Sequence, residues 1–292
     1  MTQATVVARA AIRKKAKRRR QVVGRVLAHF FLTVGGVLFL FPFFWMISLS
    51  MGTMKDIYRI PPRWIPAKVT FRNYPEALFV MPFFRYLGNT LTIAGFNIVG
   101  TLFACTMPAY AFARLRWKGR NVIFLLMLAT MMVPPQVTLI PMYIIWNRLG
   151  VLDTYVPLIV PSFFGWAYLT FLARQYFTTI PFELEDAARV DGCGSFAIFF
   201  RIMLPLSLPL MVTLALFSFV GDWNDFFGPL IYLTTPDKYT LQLGLLSFRH
   251  QYITNVPCLM AASVLILIPV ILIFLFGQTY FIRSVVLSGL KG

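Results

Sequence analysis

Residues 181–205 read PFELEDAARVDGCGSFAIFFRIMLP, and this stretch decides how the rest of the chain is understood. Glu183, Glu185, Asp186 and Asp191 lie in it, four of only ten acidic residues in the protein. An unpaired carboxylate is costly in hydrocarbon. A cluster of them between strongly apolar segments therefore marks a stretch that lies in water. Pro181 suits the first residue of a helix, where its missing N–H costs little. Glu183, Glu185 and Asp186 then fill the first turns, where the helix dipole favours negative charge. Gly192 terminates that helix, and Ser195 caps a second one running through Phe196 toward Leu204 and Pro205. Ala187, Ala188 and the turn offer a close-approach surface, while Phe182, Leu184 and Val190 offer apolar contacts. Two readings follow: a helix presented to a partner for rigid-body force transfer, or an amphipathic helix lying on the bilayer.

Composition supplies the setting. Of 292 residues, 59% are apolar and 13% charged, against about 45–50% and about 25% in a soluble domain. With a mean hydropathy of +0.74, the chain reads as an all-α integral membrane protein with no room for a large soluble domain. The net charge of +17 does not point to nucleic acid. The basic residues sit in an N-terminal arm and in short loops between apolar spans, where the positive-inside rule places them. Cys105, Cys193 and Cys258 are far apart and form no CxxC, so they read as free thiols serving as small hydrophobes, and no metal site is expected.

Six apolar spans can be laid out, each near or above the roughly 20 residues a membrane helix needs. They lie between Arg25 and Lys55, Arg85 and Arg114, Asn121 and Asn147, Thr154 and Arg174, Ile202 and about Val220, and Val256 and Ile282. Pro42 should bend the first. Pro134, Pro135 and Pro141 should kink or break the third. The domain plan is a basic arm over 1–25, a six-helix membrane domain over 26–283 containing the 181–205 loop, and a short tail over 284–292. The arm reads as a headgroup anchor or, preferably, as a solvated or disordered segment that sets topology. It is not a signal peptide, because the apolar run after it is too long and lacks a small-residue cleavage site. Arg114, Arg116, Lys118 and Arg120 mark the loop after the second span as inside, which places both termini in the cytoplasm.

The 181–205 stretch resembles the EAA loop of bacterial ABC importer permeases. DAARVDG, nine residues and then IMLP match that pattern in spacing, with Asp186 where the family usually carries Glu. AYAFARLRWKGR, MMVPPQVTLIPMYIIWNRLGVLDTY, WNDFFGPLIYL, YTLQLGL, LMAASVLILIP and VLSGLKG are similar to the second permease subunit of the maltose-type carbohydrate group. The resemblance implies a type I ABC importer permease fold in the bacterial inner membrane, paired with a second, homologous permease. It implies two ATPase subunits that receive the EAA loops, an extracytoplasmic solute-binding protein, and a C-terminal tail, Val286–Gly292, that reaches toward the ATPases. Asp186, Ala187, Ala188 and Gly192 are then the coupling residues, with Ile202, Leu204 and Pro205 setting the second helix.

The chain has no GxxxxGK[ST] phosphate loop. No catalytic residue, metal or cofactor is expected in it, ATP and Mg being held by the partner ATPase. Asn89, Gln136, Asn147, Trp223 and Asn224 are candidates for the substrate pathway, because sugars are held by polar groups and aromatic faces. Each also has a packing explanation. Asp222 and Asp225 suit either contact with the binding protein or helix-end solvation. A secondary transporter would carry acidic groups inside its spans, and a membrane enzyme would cluster His, Asp or Cys there. Neither pattern is visible. A permease for glycerol phosphate or an acidic oligosaccharide remains the alternative, given Arg59, Arg63, Lys68, Arg72 and Arg85 on the outer side.

Overall fold

The structure is a computed structural model that describes residues 3–61, 63–248 and 255–289, with side chains described from residue 21 to residue 278 within those ranges. Among the described residues every regular element is a helix. The chain divides into two compact units, residues 1–74 with 256–264, and residues 75–255 with 265–292.

The first unit is built on α1, Gln3–Ser50, which runs through Pro42 without ending there. The basic arm forms the first part of this helix. Ala, Lys, Arg and Gln are strong helix formers, and no proline precedes Pro42. Beyond residue 21 the helix is apolar all round, with Phe30, Phe31, Leu32 and Phe39 exposed, the pattern of a membrane span. The segment after it folds back on its end. Ser48 Oγ donates to Trp64 O (2.5 Å), and Asn73 Nδ2 donates to Ser50 O and Gly52 O (2.7 and 2.9 Å). Trp64 packs edge-on to Trp45.

In the second unit α2, Phe83–Arg114, is the hub. Its buried face runs Ile93, Ala94, Asn97, Gly100, Thr101, Cys105 and Ala109, the three- and four-residue spacing of one helix stripe. Small residues on it let neighbours come close, as membrane helix packing requires. A Cβ on Gly100 would sit 2.5 Å from Ser162 Oγ and 2.8 Å from a Phe163 ring carbon. Gly165, at φ +80°, approaches Ala104 O just as closely. It separates the 3₁₀ turn Val160–Phe164 from the helix Ala167–Thr179. That helix continues past Arg174, where the sequence suggested the fourth span would stop.

Among the described residues, four helical stretches are long and apolar enough to cross a membrane: Gln21–Ser50, Phe83–Arg114, Val156–Thr179 and Val256–Gln278. Two bent pairs bring the number to six. Arg120–Met132 and Pro135–Arg148 meet at 96°, and Ser195–Leu206 meets Leu208–Asn224 at 80°. The first bend is the expected proline break. Val133 is extended and Pro134 follows with φ −61° and ψ 135°, since the residue before a proline is driven out of the helical region. The second bend was not anticipated: the fifth span is not one straight helix starting at Ile202. A π-turn over Phe199–Met203 and the pivot Ser207 precede Leu208–Asn224. Pro205 and Pro209 remove backbone donors there, which accounts for the break.

The helices after α2 used below are α3 (Arg120–Ala129), α4 (Pro135–Arg148), α5 (Ala167–Thr179), α6 (Glu183–Val190) and α7 (Leu208–Asn224). At the end of α2 opposite Arg114 a polar strap closes the unit. Asn89 Nδ2 donates to Asp237 O and Tyr239 O, both at 2.9 Å, and Thr90 Oγ1 accepts from Leu241 N at 3.0 Å. Asp153 joins the same loop. It accepts from Thr234 N and Thr235 N (2.9 Å each), from Thr235 Oγ1 (2.6 Å) and from Lys238 Nζ (2.9 Å).

Candidate functional site: the 181–205 loop and the bundle interior

The helix–glycine–helix reading of 181–205 holds, with two shifts in detail. The first helix, α6, begins at Glu183, two residues after Pro181. Phe182 is its N-cap, and Phe182 O accepts from Glu185 N and Asp186 N. Gly192 terminates it at φ +81°. Cys193 N donates to Ala188 O (2.9 Å) and Gly192 N to Arg189 O (3.0 Å), the two bonds of a Schellman stop. Ser195 does not cap the second helix. Gly194 holds the cap position and its carbonyl accepts from Ile198 N, so Ser195 is already helical.

The faces of α6 are the informative part. Glu185 and Ala188, three residues apart, point inward and are buried. Ala188 belongs to a core with Cys105, Ala109, Tyr110, Leu169, Ala173, Phe177, Ile198, Phe199 and Met203. It is therefore packing surface, and not part of the outward close-approach face expected of it. Ile202 and Leu204 pack against the same core, while Pro205 is exposed. Outward, Asp186, Ala187 and Gly192 are exposed, with Phe182, Leu184, Val190 and Phe196 beside them. Val190 is 88% and Phe196 72% exposed. A cleft of about 140 Å³, lined by Met107, Tyr110, Ala111, Leu115, Ser195, Phe196 and Phe199, adjoins this crest.

Beneath α6 lies an ion pair that the sequence did not single out. Arg114, the last residue of α2, has Nε 3.1 Å from Glu185 Oε1, and both side chains are almost wholly buried. The contact is a charge pair without an aligned hydrogen bond. Arg114 Nη2 donates to Phe177 O at 2.6 Å and to Ile180 O, and the guanidinium lies 4.1 Å from the centre of the Phe182 ring. Arg189 Nη2 stands 3.8 Å from Glu185 Oε2. Burial pushes the Glu185 carboxyl up, and the guanidiniums of Arg114 and Arg189 pull it back. In the sequence Arg114 is one of four cations in a basic loop, and nothing in that run separates it from its solvated neighbours.

The pathway candidates are not gathered in one place. Asn89 is committed to the strap at the far end of α2. Trp223 is buried, donates Nε1 to Ile266 O at 3.2 Å and stacks on Phe219. Asn224, at the end of α7, is exposed and donates back to Val220 O. Gln136 and Asn147 are exposed on α4, and Asn147 O accepts from Gly150 N. A further polar group lies in the bundle interior, with Asp222 bonded inside the protein and not solvated at a helix end. Asn97 Nδ2 donates to Asp222 Oδ1 (2.7 Å) and Leu158 O (3.1 Å), with Ser218 Oγ near Asp222 Oδ2 and Thr101 near Ser218. Asp225 caps the end of α7 and accepts from Gly228 N. The C-terminal tail lies outside the residues whose side chains are described.

Residues 100–287 match the family of binding-protein-dependent transport system inner membrane components. The arabinooligosaccharide transport permease AraQ of Bacillus subtilis is 36% identical over 274 residues, 92% of this chain and 97% of that protein. The galactooligosaccharide transport permease GanQ of Bacillus subtilis is 31% identical, covering 94% of this chain and 98% of its own. Among solved structures, a chain of a bacterial ABC transporter that imports the acidic polysaccharide alginate superposes with a TM-score of 0.78. It covers 90% of this chain at 24% identity and so shows the shared fold.

Proposed function

We propose, because this chain belongs to the family of binding-protein-dependent transport system inner membrane components, that it passes a sugar or oligosaccharide across the inner membrane. In this reading the 181–205 loop is where ATPase subunits drive it. The protein is a permease subunit of an ABC importer. The observation that carries the docking reading is the exposed apolar part of α6: Glu185 and Ala188 face the protein, while Phe182, Leu184 and Val190 stand out among the exposed Glu183, Asp186 and Arg189. An exposed apolar crest on a helix anchored from behind suits a partner cleft. Asp186, Ala187 and Gly192 are the contact residues. Ala188, Ile202 and Leu204 hold the loop's geometry, and Pro205 sets the bend into α7.

ATP and Mg are bound by two partner ATPases, and this chain supplies the moving half-pathway. ATP binding closes the ATPase pair, the loops move with it, and the pathway switches from inward- to outward-facing. The ATPases bind the two permease states unequally, and that difference is what shifts the equilibrium between them. A second, homologous permease completes the pathway, and an extracytoplasmic binding protein delivers the solute. The oligosaccharide class is carried over from the relatives' functions. It also agrees with the ion pair of Arg85 with Asp237, which takes one outer cation away from an anionic substrate. Of the pathway candidates, the exposed Gln136, Asn147 and Asn224 stay assigned to the pathway, while Asn89 and Trp223 shape its walls through their internal bonds.

Val190→Glu tests the docking reading. The side chain is exposed and its replacement disturbs no internal contact, so the permease should reach the membrane yet copurify without its ATPases. Retention of the ATPases at the wild-type level would refute the docking surface. For the substrate, ATPase stimulation of the reconstituted complex by binding protein loaded with neutral oligosaccharides should exceed that with phosphorylated or acidic sugars. The reverse order would overturn the class.

A further inference from the structure

We infer that Arg114 is a positioning residue of the coupling machinery: it fixes α6 to the end of α2, so that a displacement of the 181–205 loop is carried along α2. The inference rests on the docking reading above. One side chain grips three elements. It donates to Phe177 O and Ile180 O where α5 ends; Phe177 O also accepts from Ile180 N at 3.3 Å, and carbonyls in a helix's last turn are short of intrahelical partners. Its Nε meets Glu185 of α6, and its face meets the ring of Phe182, the N-cap of α6. A loop cation that only set membrane topology would lie in water, whereas Arg114 is 4% exposed.

Stability does not account for the pair. Two buried charges are commonly replaceable by apolar side chains without loss. What the guanidinium supplies is fixed geometry, because its planar fork reaches several oxygens at once and an ammonium does not. The helix it terminates continues through Pro108 over 32 residues, about 48 Å at 1.5 Å per residue. The other end of that helix holds the 237–241 segment through Asn89 and Thr90. The clamp therefore joins α6 to a rod whose far end is itself tied to a loop.

The test compares the whole reconstituted transporter carrying wild-type permease, Arg114→Lys, or the pair Arg114→Met with Glu185→Met. Two quantities are read: the amount of assembled complex, and solute taken up per ATP hydrolysed. A residue needed only for folding changes the first and leaves the second alone. Both variants should assemble, and uptake per ATP should fall about fivefold or more, the scale of a typical coupling between sites. A wild-type ratio in either variant overturns the inference. Failure of the double variant to assemble also overturns it, since the pair would then be a requirement of the fold. The Val190→Glu complex keeps the two readings apart. If it retains its ATPases and its uptake, the docking surface fails whatever the Arg114 variants do.

Discussion

Substitution of Gly192 tests the backbone logic of the loop most directly. The residue sits at φ +81°, and a Cβ built on it would have nothing within 4 Å. Alanine therefore meets no steric barrier within the chain. It meets only the left-handed conformation, at about 1–2 kcal/mol. That corresponds to roughly a 5- to 30-fold loss in the population of the stopped helix. Asparagine adopts this conformation more readily and should fall between glycine and alanine. Proline cannot reach φ +81° and also loses the Gly192 N–H donation to Arg189 O, a cost of about 3 kcal/mol or more. The expected order is Gly, Asn, Ala, Pro, read as solute uptake by membranes matched for permease content, with ATPase copurification in parallel. Proline should leave permease in the membrane and separate ATP hydrolysis from uptake. An order that follows side-chain size, with alanine better than asparagine, would refute the backbone argument, as would normal uptake by the proline variant.

Three further expectations concern other parts of the chain. The Thr235 hydroxyl and N–H, the Lys238 ammonium and the Thr234 N–H hold the Asp153 carboxyl well below the usual carboxylate range. A lowered value stabilises the fold above the unfolded value of about 4 and is lost as pH falls toward the folded one. Asp153→Asn should accordingly lower the thermal midpoint at neutral pH, with the gap to wild type closing as pH drops below about 4; a gap independent of pH would count against the strap. Gly100→Ala should force α2 away from Ser162 and Phe163 at about 1–3 kcal/mol, seen as a lower melting temperature of the purified complex, and an unchanged melting temperature would show that this approach is not tight. Asp222→Leu strips Asn97 of an acceptor and should destabilise by about 1–3 kcal/mol. Asp222→Asn keeps an oxygen there and should be milder, so equal effects in a thermal-shift comparison would remove the Asn97 bond from the account.

How far the sequence could be read depended on the range of the interaction. Apolar run lengths and the density of basic residues follow from the transfer of side chains between water and hydrocarbon, and they show directly in composition. The stop at Gly192 and the break at Pro134 depend on backbone sterics within a few residues, so both were legible. The cap of the second helix was not, because Gly194 and Ser195 are adjacent residue types that both serve as caps, and the backbone chose the former. The 80° bend at Ser207 was missed although Pro205 and Pro209 were in view. Two prolines permit a break, but only packing sets its angle.

The sequence by itself determined that this is a helical membrane protein with a waterborne helix–glycine–helix loop. Those properties rest on solvent preference and on local conformational rules. Only the tertiary structure decided which way that loop faces and what holds it. Asn89 meets Tyr239 across 150 residues of chain, and Arg114 meets Phe177 across 63. For an arginine in a basic run and an asparagine in an apolar span, the sequence does not name the partner. Their burial, and hence whether each acts as charge, clamp or strap, exists only once the helices have packed.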